Sequence, residues 1–144
     1  MKKNLLGLLA AVFIGVAAPL GHATQSRFGP LVSAEKLANI RSAEAPFILD
    51  IRGNAVKDGY IPGAISVTYG EFRGPSTNPG QLVTDANLTT LFQKLGLAAD
   101  KPTVVIHQGK NETDFGAAAR VYWTLKSAGI KHLAILNGGM NAWT

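Results

Sequence analysis

Four short apolar runs constrain this chain most: residues 47–51 (FILDI), 64–67 (AISV), 103–107 (TVVIH) and 133–136 (LAIL). A strand with one wet face alternates apolar and polar residues, whereas these runs are apolar almost throughout, as strands covered on both faces are. Longer amphipathic stretches separate them. Ser33 is a good N-cap for a helix over residues 34–41, which must end before Pro46. Residues 86–95 follow Asp85 and stop at Gly96, and residues 114–128 stop at Gly129, both natural helix ends. In the third helix Ala118, Val121, Tyr122, Leu125 and Ala128 share one stripe that should pack on the sheet. This rhythm predicts a three-layer α/β domain with a mainly parallel central sheet. Its strand-to-helix loops would then gather at the carboxyl edge of the sheet, where such folds bind ligands. Residues 73–81 (RGPSTNPGQ) read as a loop, and there is no internal repeat.

The first 23 residues stand apart. Lys2 and Lys3 precede an uncharged stretch over residues 5–20, and Gly21-His22-Ala23 places small residues where a signal peptidase reads them. This is the layout of a secretory signal peptide cleaved after Ala23, and the apolar stretch is shorter than the roughly 20 residues a spanning helix needs. The expectation is an exported chain over residues 24–144, periplasmic in a bacterium and otherwise secreted, with no stable membrane anchor after cleavage. That chain carries 12 basic and 9 acidic side chains, a net charge of +3. The basic residues form no stripe and no aromatics interleave with them, so the sequence gives no support to nucleic-acid binding and none is expected. There is no cysteine, which removes disulfides, thiolate nucleophiles and thiolate metal sites. With only His107 and His132 left in residues 24–144, neither a metal site nor a cofactor is expected.

Three further stretches carry chemistry or its remains. Asp50 and Arg52 lie two apart at a strand end, where both can point to one side. The expected roles are structural, with Asp50 accepting loop amides and Arg52 pairing with a carboxylate at the sheet edge. They are followed by Gly59-Tyr60-Ile61-Pro62-Gly63-Ala64, in which Pro62 and Gly63 set a tight turn. The run 103–107 leads into Gln108, Gly109, Lys110, Asn111, Glu112 and Thr113, and then a helix. Near the end, Leu136-Asn137-Gly138-Gly139 and Trp143 mark a strand leaving through two glycines into a helical turn. Taken together, in this order, the stretches resemble the rhodanese-homology family over about Leu31 to the end, with Tyr60 where that family usually has histidine.

The resemblance implies a rhodanese-like fold and also a departure. Catalytic members place a cysteine where Gln108 stands. Its thiolate accepts a sulfane sulfur from a donor such as thiosulfate, within a cradle of backbone amides and a helix N-terminus. An amide side chain cannot form a persulfide, so covalent sulfur transfer at Gln108 is excluded. The loop reads as longer than an active one, running from Gln108 to Asp114, with Thr113 or Asp114 capping a helix that starts near Phe115 and Arg120 well inside it. Glu112 and Asp114 should offset Lys110 and occupy the loop amides. This pattern resembles the non-catalytic first domain of tandem sulfurtransferases, and the stop at Thr144, about one turn after Gly139, suggests a chain that continues.

Other readings of the same residues are weaker. Asp114-Phe115-Gly116 spells a kinase metal triplet without its companion motifs, and Gly109-Lys110 is not in phosphate-loop register. Asn87 and Asn111 begin glycosylation sequons. His107 lacks a nucleophile to serve and reads as a packed, hydrogen-bonded histidine, while His132 reads as solvent-facing. Ser66, Thr68 and Ser76 have no base beside them. The expectation is therefore a non-catalytic rhodanese-like domain packed against a second such domain in a thiosulfate sulfurtransferase-type protein. The alternative is a stand-alone module holding a small anion, such as a sulfur oxyanion, or a partner protein at the Gln108 loop.

Overall fold

A computed structural model describes residues 28–144 of the chain; the expected signal peptide lies outside the described residues. The elements run β1 (Leu31–Val32), α1 (Ala34–Glu44), β2 (Phe47–Asp50), β3 (Ile65–Ser66), α2 (Asp85–Leu95), β4 (Thr103–Ile106), α3 (Glu112–Ser127), β5 (Leu133–Leu136) and α4 (Met140–Trp143). Two short 3-10 segments, Gly53–Asp58 and Tyr69–Phe72, flank β3. The five strands form one sheet in the order β1-β5-β4-β2-β3, and every pairing is parallel.

Burial on both faces explains the near-continuous apolar runs of β2, β4 and β5. The run 64–67 departs from that expectation: it yields only the two-residue edge strand β3, with Ile65 and Ser66 exposed because no described strand pairs beyond it. Phe47, Leu49, Val105, Leu133 and Ile135 point into a core closed by Leu91 of α2 and by Ala118, Val121 and Leu125 of α3. Their neighbours Ile48, Val104, Ala134 and Leu136 point the other way, against Leu37 of α1 and Met140 of α4. Side chains alternate across a strand, so a strand sandwiched between helices must be apolar at every position. The expected three-layer α/β architecture is the one observed.

Several boundaries differ from the sequence expectation. Ser33 caps α1 as expected, accepting from the Lys36 N–H at 3.2 Å, but the helix continues beyond Arg41 to Glu44. The cap of α2 is Thr84, not Asp85; its hydroxyl accepts from the Asn87 N–H at 3.3 Å, and Asp85 is already helical. α3 begins at Glu112 rather than Asp114, and Ala128 lies past its end, exposed, rather than on the packed stripe. β1 has no counterpart among the four apolar runs.

Candidate functional site

The carboxyl ends of β2, β4 and β5 converge, and each delivers one part of a hydrogen-bonded cluster. From β2 comes the Asp50–Arg52 pair. Arg52 reaches back to both carboxylate oxygens, with Nε 2.9 Å from Oδ1 and Nη2 2.7 Å from Oδ2. The expected surface-edge pair is in fact buried, the two side chains being 2% and 0% exposed. Asp50 Oδ1 also accepts from the Arg52 backbone N–H at 3.1 Å. The remaining donors of the guanidinium go outward, Nη2 to the Gly59 carbonyl at 2.7 Å and Nη1 to Gln108 Oε1 at 3.1 Å.

Gln108, just past β4, has both ends of its amide engaged. Because Arg52 can only donate, Gln108 Oε1 must face it, and Nε2 is left to donate to Asn141 Oδ1 at 2.8 Å. Asn141 in turn donates from Nδ2 to the Gly109 carbonyl at 3.2 Å, and from its backbone N–H to the Gln108 carbonyl at 3.0 Å. The Met140 N–H donates to the His107 carbonyl at 2.7 Å. One side chain thus ties the ends of β2 and β4 to the turn after β5.

The two glycines of that turn permit the contact. A Cβ on Gly139 would stand 2.6 Å from both the Gly109 nitrogen and the His107 oxygen. Gly109, at φ +88°, could carry no side chain either, since a Cβ there would meet the Gly138 oxygen at 1.9 Å. Backbone packs on backbone here, which only glycine allows. Pro62 and Gly63 form the expected turn: the Ala64 N–H bonds the Ile61 carbonyl at 2.9 Å, and Gly63 takes φ +81°. Arg41 holds the turn from outside through the Pro62 carbonyl at 2.7 Å.

The loop itself is shorter than expected. Asn111, not Thr113 or Asp114, caps α3, its Oδ1 accepting from the Asp114 N–H at 3.0 Å. The loop therefore runs only from Gln108 to Asn111. A sequon asparagine was the unread cap signal, because asparagine caps as well as serine or aspartate. Asp114, in the first turn of α3, folds back instead and takes the loop's amides, with Oδ2 2.5 Å from the Gly109 N and 3.0 Å from the Lys110 N. Burial alone would raise the Asp114 carboxyl pKa. The Lys110 and Gly109 amides and His107 outweigh burial and hold it below its ordinary value.

His107 is the packed histidine expected. It is buried, with Nε2 3.2 Å from the Leu136 carbonyl and Nδ1 3.1 Å from Asp114 Oδ2, and Phe115 stands edge-on to its ring. The Leu136 carbonyl can only accept, so Nε2 donates to it. Nδ1 donates to the Asp114 carboxylate only when it too carries a proton, and otherwise accepts from the Gly109 N–H at 3.2 Å. His132 differs from the expectation: it is half-buried, and its Nδ1 is out of solvent with no hydrogen-bond partner among the described residues. The Ser66 hydroxyl donates to the Gly53 carbonyl at 3.3 Å, a structural use. Arg120 anchors the 73–81 loop region through the Gly80 and Gln81 carbonyls, both at 2.9 Å.

An open cleft of about 350 Å³ lies over the loop, lined by His107, Gly109, Lys110, Asn111, Glu112, Phe115 and Gly138. Of the expected binding-loop residues, Gly109, Lys110, Asn111 and Glu112 reach it, whereas Thr113 turns to a neighbouring cleft shared with Tyr69 and Arg73. Among the described residues, no group of three or more His, Cys, Asp or Glu side chains could hold a metal ion. No described helix is long and apolar enough to cross a membrane.

The family description Rhodanese-like domain matches residues 33–144, the whole of this architecture from the α1 cap onward. The chain belongs to the rhodanese-like domain family. A Mycobacterium tuberculosis protein named "Putative thiosulfate sulfurtransferase SseB" is 31% identical over 132 residues, covering 83% of this chain and 45% of that protein. The 3-mercaptopyruvate sulfurtransferase of Escherichia coli is 28% identical over 87 residues, covering 60% of this chain and 30% of the relative. Among solved structures, SseA from Escherichia coli superposes with a TM-score of 0.64 at 24% identity, over 81% of this chain and 47% of that one. YnjE gives a TM-score of 0.66 at 24% identity, over 79% and 28%. These likenesses establish the rhodanese fold, and the first curated relatives tie this rhodanese-like domain to sulfurtransferases. The chain spans under half the length of those relatives.

Proposed function

We propose that this rhodanese-like domain performs no covalent sulfur transfer and serves as the non-catalytic domain of a thiosulfate sulfurtransferase-type protein, packed against a second rhodanese-like domain. The observation that carries the reading is the filled loop. Gln108 stands where the family resemblance expects a cysteine, and both ends of its amide are engaged by Arg52 and Asn141. The Gly109 and Lys110 amides, which an active loop would aim at a sulfur or an incoming anion, are held by the Asp114 carboxylate. A negative group inside the cradle opposes both a thiolate and an anionic donor. On the same reading the chain is exported and works outside the cytoplasm.

The open cleft beside Lys110 favours the second reading, a module that holds a small anion or a segment of a partner. Calorimetric titration with thiosulfate, sulfite and phosphate separates the two. The non-catalytic reading expects no heat from any of them, and saturable thiosulfate binding would support the module instead. For the main reading, thiosulfate and cyanide incubated with the purified chain should yield no thiocyanate above the buffer blank. Turnover by the natural sequence would remove it.

A further inference from the structure

One face of α3 is turned to water although it carries two large aromatics. At about 100° per residue, Glu112, Phe115, Gly116, Ala119, Trp123 and Lys126 fall within one arc, all exposed except Ala119, which is half-buried against the core. That arc lies opposite the buried Ala118, Val121 and Leu125. Phe115 is 39% and Trp123 47% exposed. Trp123 is not loose: the Arg120 guanidinium lies 5.4 Å from its ring centroid, and Arg120 is itself fixed on the Gly80 and Gln81 carbonyls. An ordered, exposed aromatic has already lost the rotamer freedom that binding would cost.

Gly116 adds an independent sign. Glycine weakens a helix interior, yet among the described residues a Cβ at this position would meet nothing within 4 Å. Nothing inside the domain requires glycine there, whereas close approach of another helix from outside would.

The face is also complementary to itself. If two α3 helices pair antiparallel about Ala119, position 115 falls opposite 123 and position 112 opposite 126. Phe115 then meets the partner's Trp123 on both sides of a small-residue centre at Gly116 and Ala119. At each end Glu112 meets the partner's Lys126, and the two helix dipoles oppose each other favourably. An isologous contact brings each pair together twice, so the complementary aromatic and charged pairs both count double. We propose that two copies of this chain pair through α3 as an antiparallel homodimer. The pairing is independent of the function proposed above and holds whether or not that reading does.

A single helix pair buries less than the roughly 1,200 Å² of a standard interface, so a weak dimer with a dissociation constant of ~10–100 µM is expected. Sedimentation equilibrium of the full chain from about 5 to 500 µM reads it directly, a range that brackets that constant. Phe115→Ser with Trp123→Ser should raise the constant about tenfold or more. Glu112→Lys or Lys126→Glu alone should weaken the dimer about threefold to tenfold at low salt, because each places like charges opposite one another. Both charge changes in one chain should restore it. All four positions are exposed, and far-ultraviolet circular dichroism confirms that each variant is folded. A monomer across the whole range overturns the proposal, as does a dimer indifferent to the serine substitutions. Failure of the double charge swap to restore pairing also overturns it.

Discussion

Replacing Gln108 by alanine tests how much the amide lock contributes. The substitution removes the acceptor of Arg52 Nη1 and the donor to Asn141 Oδ1, at 3.1 and 2.8 Å. The Arg52 side chain is only 2% exposed, so water cannot readily replace the lost acceptor. A hydrogen bond to a charged group is worth about 1.5–3 kcal/mol and the exposed amide–amide bond about 0.5–1 kcal/mol. Freeing a glutamine side chain returns at most about 1.5–2 kcal/mol of entropy, and less here because Gln108 is partly exposed. The balance is a loss of about 1.5–2.5 kcal/mol. For a domain of this size that lowers Tm by roughly 5–10 °C. Urea denaturation followed by circular dichroism measures it, with an unchanged m-value showing that only stability moved. Gln108→Met keeps the volume without the hydrogen bonds and should lose nearly as much. If both variants lie within about 0.5 kcal/mol of the natural chain, a change typical of neutral surface positions, the lock is decorative and the reasoning fails.

Two more outcomes follow from the same cluster. Gly109→Ala would drive a methyl into the Gly138 oxygen at a backbone φ of +88°, and should cost about 3 kcal/mol or more, read by the same denaturation experiment. Asp114 has a folded-state pKa lowered below its unfolded value, so the unfolded chain binds its proton first and the carboxylate's stabilisation is complete above about pH 5. That contribution should fall away as pH drops below about 4. Asp114→Asn should flatten the acid limb of a Tm-against-pH curve, and an acid limb unchanged by the substitution would show that the carboxylate is not coupled to folding.

The layers were legible in the sequence because each central strand is apolar on both faces, and residues 133–136 match the observed β5 end to end. β1 was not legible: two residues after Pro30 have no period, and Leu31–Val32 becomes a strand only by pairing with β5. The caps were misplaced by one to three residues since Thr84, Asp85, Asn111, Thr113 and Asp114 are all competent by type. Only the chain geometry selects Thr84 and Asn111. That shift shortens the loop, so the proposed non-catalytic reading rests on the Gln108 amide and on the Asp114 carboxylate that holds the loop amides, and not on loop length.

The site was half visible. Asp50, Arg52, Gln108, Gly138 and Gly139 stood out by motif, whereas the partner choices did not. Arg52 meets Gln108 across 56 residues, and Gln108 meets Asn141 across 33, separations that no local pattern reports. Asn141 lies between Gly139 and Trp143, inside the stretch that carries the resemblance, but its residue type alone does not point to Gln108.

Sulfur transfer by a Gln108→Cys variant tests the central claim most directly. With Asp114 in place, the new thiol would share its cradle with a carboxylate that already holds the Gly109 and Lys110 amides. Its pKa should then stay at or above the ordinary value of about 8.5. Thiosulfate:cyanide turnover by Gln108→Cys should remain at the buffer background, and adding Asp114→Ala should raise it by freeing those amides. Robust turnover by Gln108→Cys alone would show an open, intact cradle and contradict the account.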